Sequence, residues 1–345
     1  MRIALDAMGG DLAPAAAVAG AVRYLRRGGA ASVALVGDAK RIKDELARHK
    51  APGSFSVHDA PHAIGPGERP SRAARPKRRS SIHACFDLVR SGQADAVVSA
   101  GGSGALMAAA LHSLGRIDGV ERPAIVTPLP TLRGGCAVLL DSGANVACRP
   151  LHLVQFAHLG EVWARRVVGV ARPKVALLAN GEEPTKGTDL TRAASELLRA
   201  SSLDFVGYVE GKDLFDGGVD VIVTDGFTGN VVLKATEGAA AALGAMLKRE
   251  IEARSTARLG KLLMAPALAG FKKIVDWAEY GGAPLVGVDG VCIVAHGRST
   301  PRAFKNALAT ASQVCSTSLR DDFARAALAA RELIGSTAAR HAAER

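Results

Sequence analysis

The hydrophobic and polar positions fall into short apolar blocks separated by longer segments of helical period. Arg2 to Asp6, Ser32 to Gly37, Ala94 to Ala100, Ala124 to Thr127, Cys136 to Leu140, Lys174 to Leu178, Phe205 to Tyr208, Val221 to Thr224 and Ile293 to Ser299 read as strands. Phe55 to His58 reads as a further short strand. Between them lie helical stretches: an Ala-rich segment starting near Pro14, a charged one over 39–50, and one running from Ser80 or Ser81 as cap to about Ser91. Leu151 to Val168 reads as an amphipathic helix, and a small-residue helix covers Gly238 to Ile251. Strand and helix alternate throughout, which predicts an α/β fold with a mostly parallel sheet covered by helices on both faces. The reading places one α/β domain over 1–335, a helical insertion over about 238–278 and a frayed tail over 336–345. In the insertion, Leu259, Leu262, Leu263, Met264, Leu268, Phe271, Ile274 and Val275 alternate with lysines and arginines, and Pro266 is expected to interrupt the helix. That pattern suits a dimer-core hairpin first and an interfacial membrane contact second.

Several strands empty into glycine-containing turns that open helices, and these are natural anion sites. A turn of this kind brings the backbone close, and the first N–H groups of the helix have no partner inside it. Ligands of open α/β sheets bind at the carboxyl ends of the strands. The run Val221 to Lys234 holds Asp225-Gly226-Phe227-Thr228-Gly229-Asn230, with the helix expected to begin near Val231. A second turn is Gly101-Gly102-Ser103-Gly104, which lacks both the Gly-Lys-Ser/Thr of a P-loop and full dinucleotide spacing, so it favours a small anion or carbonyl oxygen over a nucleotide. Asp6-Ala7-Met8-Gly9-Gly10-Asp11 is a third, in which Asp6 either binds a ligand hydroxyl or caps the turn. Asn180 to Gly187 places Lys186 at the mouth of a βα unit, as a phosphate-holding charge or an exposed turn lysine. His296 ends a strand, where a structural role competes with binding.

Composition narrows the partners. The chain of 345 residues has 48% hydrophobic but only 4% aromatic residues, so Val, Leu, Ile and Ala build the core. A net charge of +11 favours anionic partners. Arg69, Arg72, Arg75, Lys77, Arg78 and Arg79 crowd one stretch that ends at a helix start, matching phosphate, an acidic protein or a plain solvated surface. No nucleic-acid module accompanies these cations, so nucleic acid is not expected. The 5 cysteines show no CxxC spacing and read as reduced thiols of a cytosolic protein, without metal or disulfide. No targeting segment is expected ahead of the strand at Arg2, and no apolar run approaches a membrane span.

Taken in order, Asp6 to Asp11, Gly104-Ala105-Leu106-Met107, Asp141 with Gly143-Ala144-Asn145, Lys186-Gly187, Asp225 to Asn230 and Tyr280 to Pro284 resemble the bacterial phosphate acyltransferase (PlsX) family over roughly Met1 to Ser299. The resemblance implies a Rossmann-like αβα fold related to isocitrate dehydrogenase and phosphotransacetylase, a homodimer, and loose attachment to the membrane. It implies transfer of a fatty acyl group from acyl carrier protein to inorganic phosphate, giving the acyl phosphate that a membrane glycerol-3-phosphate acyltransferase consumes in phospholipid synthesis. No metal or organic cofactor is expected. On this reading Lys186, Asp225 and Asn230 carry catalysis, and Asp6, Gly9, Gly10, Lys77, Ser81, Gly102, Ser103, Gly104, Asn145, Thr228, Gly229 and His296 bind substrate. The basic stretch and the positive charge suit docking of the acidic carrier protein. The chain departs from the family pattern at Gly102-Ser103, where Asn-Thr is usual, at Leu12 (His), at Arg298 (a second Ser) and at Ser142 (apolar). A phosphotransacetylase-like enzyme using acyl-CoA, and a diverged protein that only binds carrier protein, are the alternatives.

Overall fold

The computed structural model describes residues 1–51, 53–64, 80–275 and 281–343. Its first half is a strand–helix alternation: Arg2–Asp6 (β1), Ala15–Arg26 (α1), Ser32–Gly37 (β2), Ala39–Arg48 (α2), Ser56–Asp59 (β3), Ser81–Arg90 (α3), Ala96–Ser99 (β4) and Ser103–Ser113 (α4). The short strand Ala124–Ile125 (β5) joins the antiparallel pair Ala283–Val286 (β11) and Val291–Val294 (β12) to complete a seven-stranded sheet, order β3-β2-β1-β4-β12-β11-β5. A second, five-stranded sheet has the order β6-β7-β10-β8-β9, built from Thr127–Pro130 (β6), Cys136–Leu140 (β7), Lys174–Leu178 (β8), Asp204–Val209 (β9) and Val221–Val223 (β10). Most pairings are parallel; β6 with β7 and β11 with β5 and β12 run antiparallel.

Two sheets rather than one therefore organise the chain. The expected strand Ala124 to Thr127 is where they divide: Ile125 pairs in the first sheet and Thr127 in the second, with fully buried Val126 between them. Both halves of that stretch look alike in sequence, and only pairing partners far along the chain separate them. The central strands β4, β7, β8 and β10 are apolar runs with nearly every residue buried. That is the signature of strands covered on both faces.

The helix Pro150–Trp163 (α5) departs from the amphipathic expectation. It packs on the second sheet with one side and on Arg320–Ala343 (α11) with another, so residues from His152 to Gly160 are all buried. A π-type turn, Ala164–Val168, extends it and stops at Gly169, whose φ of 91° ends helices readily. Asp189–Arg199 (α6) covers the same side. The 28-residue helix Gly226–Ala253 (α7) leaves the second sheet and ends at extended Arg254. Two shorter helices follow, Ser255–Leu263 (α8) and Ala265–Val275 (α9), broken just before Pro266 as its missing N–H requires. Leu243, Met246, Leu247, Leu262, Leu263, Met264 and Phe271 of this hairpin are exposed.

On the far side of the first sheet α1 lies against Pro301–Thr317 (α10). Gly20 sets their separation: a Cβ there would stand 2.4 Å from Phe304 Cβ and 3.0 Å from the Pro301 carbonyl oxygen. Gly20→Ala is accordingly expected to destabilise the fold by about 1–3 kcal/mol through overpacking, read from the urea midpoint. A midpoint moved by less than a few tenths of that would show that the two helices separate freely.

Candidate functional site

The carboxyl ends of β1, β4 and β12 converge. Asp6 leaves β1 3% exposed; its Oδ1 accepts the Met8 N–H at 3.0 Å and its Oδ2 accepts the Ser99 hydroxyl at 2.7 Å. Ser81, at the start of α3, and the Gly9 N–H also bond to it; burial raises its carboxyl above the ordinary value while these donors pull it down. Gly9 is required by close approach, since a Cβ would lie 2.8 Å from the Gly101 nitrogen and 2.9 Å from Asp6 Oδ2. Gly10 sits at φ 91°, and a Cβ there would come 2.9 Å from the Gly297 carbonyl oxygen, which accepts the Asp11 N–H at 2.7 Å. The turns after the three strands are thus stacked, and the oxygens of Asp6 are occupied in stacking them.

Beside this cluster α4 begins without a side-chain cap. Gly102 and Ser103 are exposed, Gly104 is partly so, and the Gly102 backbone (φ −56°, ψ 129°) has open space where a Cβ would be. An uncapped helix start with exposed residues is an available set of N–H donors for an anion.

The second sheet supplies a matching edge. Asp141 is fully buried, and its carboxylate accepts five hydrogen bonds: Ile125, Gly143 and Ala144 N–H on Oδ1 at 3.0, 3.2 and 3.0 Å, and Asn145 N–H and Nδ2 on Oδ2 at 2.7 and 2.8 Å. Burial pushes this carboxyl up, against the pull of those donors. Asn145 Nδ2 reaches the Pro123 carbonyl at 2.7 Å, and the Asn145 carbonyl accepts the Gly226 N–H at 2.8 Å. Ser142 is satisfied by Thr127 Oγ1 at 2.6 Å and the Ile125 carbonyl at 3.1 Å.

Helix α7 begins at Gly226, five residues before the expected start near Val231. Asp225 caps it, accepting the Thr228 N–H at 2.9 Å and hydroxyl at 2.8 Å, while the Gly229 N–H goes to the Asp225 carbonyl. Gly226 and Gly229 read as turn residues but serve packing: a Cβ on Gly229 would come 2.0 Å from the Asp141 carbonyl oxygen. The N–H groups of Thr228 and Gly229 are therefore used inside the helix, and the open donor set is the one at α4. Asn230 is exposed over the Asp141 turn, its Cβ 3.5 Å from where a Gly143 Cβ would be.

Lys186 follows β8, the neighbour of β10, in a turn of its own closed by Gly187 N–H to Asn180 Oδ1 at 2.9 Å. It is exposed, its stem lies over Gly181, and its ammonium makes no ion pair among the described residues. Lys77 and the basic stretch 65–79 lie outside the described residues.

His296 is joined to a residue that the sequence does not single out. Its Nε2 is 2.8 Å from Lys234 Nζ, which is also 2.8 Å from Glu237 Oε2. In sequence Lys234 reads as an ordinary i,i+3 partner of Glu237; only the fold brings the turn after β12 against α7. The cysteines offer no ready nucleophile: burial and the Asp141 and Asp225 carboxylates push the Cys148 thiol up to about 12, and burial raises Cys136. Among the described residues no group of three or more His, Cys, Asp or Glu is placed to hold a metal.

A family model described as fatty acid synthesis protein matches residues 1–321. Phosphate acyltransferase of Anaeromyxobacter sp. (strain Fw109-5) is 54% identical over 342 residues, covering 99% of this chain and 94% of its own. That of Myxococcus xanthus (strain DK1622) is 56% identical over 314 residues, covering 90% and 89%. A phosphotransacetylase from Streptococcus pyogenes superposes with a TM-score of 0.59 at 15% identity, covering 92% of this chain and 94% of its own, a likeness of fold.

Removing the Asp141 carboxylate strands buried donors, so Asp141→Ala is expected to cost at least about 3 kcal/mol in denaturant unfolding. Gly102→Asn, entering open space at a helix N-cap, is expected to shift the same midpoint by only a few tenths of a kcal/mol. An equal loss in both variants would contradict the different roles given to the two turns.

Proposed function

The chain belongs to the fatty acid synthesis protein family, whose curated relatives are acyltransferases named phosphate acyltransferase, and on that premise we propose that it moves a fatty acyl group from acyl carrier protein to inorganic phosphate. The observation that carries this reading is identity above one half along nearly the whole chain. A phosphate oxygen attacks the thioester carbonyl carbon, the C–O bond forms and the C–S bond breaks. The proton of hydrogen phosphate passes to the departing thiolate, leaving acyl phosphate and the free carrier thiol. A thiolate leaves readily, so the protein's task is to hold the anion in line and stabilise the developing oxyanion with preorganised donors.

The uncapped start of α4 supports this assignment as an oxyanion or phosphate seat, and Lys186 is the candidate charge in the turn after β8 of the second sheet. Asp225 and Asp141 hold the facing turns, so their role is to position Asn145, Asn230 and the first turn of α7. No step of the reaction so written calls for a metal or organic cofactor. The net charge of +11 suits an acidic carrier protein as donor. The exposed apolar face of α7–α9 suits a second copy of the chain, with peripheral contact to a membrane where a glycerol-3-phosphate acyltransferase consumes the product. No helix among the described residues is long and apolar enough to cross a membrane.

The deciding assay measures acyl phosphate formed from a long-chain acyl carrier protein and inorganic phosphate, with an acyl-CoA in parallel. Turnover on the carrier protein is the expected result; turnover on acyl-CoA alone would replace the donor, and binding of carrier protein without turnover would make the chain a non-catalytic partner. Lys186→Ala is expected to lower kcat/KM about 10- to 100-fold, the size of one hydrogen-bonded charge. An unchanged value removes Lys186 from the site while keeping the reaction.

A further inference from the structure

We propose that Lys234, held between Glu237 and His296, is the cation that seats the phosphate where the two sheets meet; the identity of the anion rests on the reading above. The placement comes first. Lys234 projects from the third turn of α7, the helix that leaves the second sheet, and reaches the turn that leaves the first. That turn is the one stacked on Gly10 and Asp11, and the backbone of β12 continues into it through the Ala295 N–H bonded to the Ser99 carbonyl at 2.8 Å. Lys234 thus stands beside the same group of turns from which α4 opens.

The geometry orients its charge. An ammonium has three N–H donors. Glu237 Oε2 takes one at 2.8 Å and His296 Nε2 lies at 2.8 Å to take another, and the side chain remains 47% exposed, so the third is open to solvent. Glu237, 25% exposed, anchors the ammonium from its own helix. Lys234 is gripped by a glutamate of its own helix and a histidine of the first sheet, whereas Lys186 hangs in a separate turn. Preorganised charge holds an anion without the cost of ordering a free side chain.

His296 serves as the acceptor that aims Lys234. In the tautomer whose Nε2 accepts from the Lys234 ammonium, the ring proton sits on Nδ1, so the Arg298 N–H 3.1 Å away is a neighbour that this tautomer does not use as a hydrogen bond. Protonation would turn Nε2 from acceptor to donor, facing the Lys234 ammonium. Among the described residues, the charged groups that act on it are Lys234 and Glu237 from α7, and Arg298 and Asp11 from the neighbouring turns; burial, Lys234 and Arg298 hold its pKa below the ordinary value, with Glu237 and Asp11 opposing. The imidazole is therefore neutral at pH 7, and a bound dianion beside the pair would raise its pKa.

Three measurements on the full-length protein test this. Lys234→Met is expected to raise KM for inorganic phosphate about 10- to 100-fold with KM for the acyl donor unchanged, and Lys234→Arg to recover part of the loss. Inorganic phosphate without any acyl donor is expected to raise the Tm of the wild-type chain, and not that of Lys234→Met, above a chloride control of equal ionic strength. The His296 ring resonance, followed by NMR titration, is expected to show a higher pKa in Lys234→Met, and a higher pKa in the wild type once phosphate is added. An unchanged KM for phosphate, equal protection of both proteins, or a His296 pKa indifferent to phosphate would overturn the proposal. Should the methionine variant not fold, the wild-type titration decides alone. Protection and titration shifts without acyl phosphate formation would keep this anion seat and discard the acyl-transfer reading.

Discussion

One buried carboxylate ties the turns of the two sheets together. Asp141 collects donors from β5 in the first sheet, from its own turn, and from Asn145, which in turn bonds to Pro123 and to the first residue of α7. Burying an unpaired carboxylate is expensive, and here five hydrogen bonds offset that cost. The chain passes from the first sheet to the second at Val126 and returns between β10 and β11, and this carboxylate adds a tie from β5 to the turn after β7. Asp6 repeats the device in the first sheet on a smaller scale, drawing together three turns. The acidic residues that look most chemical in the sequence thus face inward, and the groups left facing out are N–H donors and cations. That division suits an anionic ligand.

Much of the fold was legible because its central strands are unbroken apolar runs. Arg2–Asp6, Ser32–Gly37, Cys136–Leu140 and Lys174–Leu178 have the bounds that their sequences predict, and the break before Pro266 follows from proline itself. The family resemblance agrees with the family match, and the αβα expectation with the parallel sheets. What was not legible depended on distant partners. The stretch 124–127 divides between two sheets because β11 and β7 claim its two ends. The helix over 150–163 has an apolar surface too broad for one face, and α11, more than a hundred residues later, covers the remainder. Helix α7 starts early because Gly226 and Gly229, helix-breaking in isolation, let it pack on the Asp141 turn.

The same reasoning separates the site residues. The turns holding Asp6, Gly9, Gly10, Ser81 and His296 come together, as do those holding Asn145, Asp225, Thr228, Gly229 and Asn230, while Lys186 stands apart in its own turn. Glycine spacing marked the turns, but it did not distinguish N–H groups left open, as at α4, from N–H groups consumed by a cap, as at α7. Lys234 carried no mark at all, since a lysine three residues before a glutamate on a helix is ordinary surface chemistry. Its significance arises only from the histidine that the other sheet brings to it.

The length of α7 has a mechanical consequence. At 1.5 Å per residue its 28 residues form a rod about 42 Å long, with Lys234 near one end and an exposed apolar hairpin at the other. A helix resists twisting because every turn is hydrogen-bonded to the next. A rotation of the rod about its own axis, imposed wherever the hairpin is gripped, swings Lys234 through the same angle relative to His296. The two ends share one lever, and whatever fixes the orientation of the hairpin also sets the aim of the lysine.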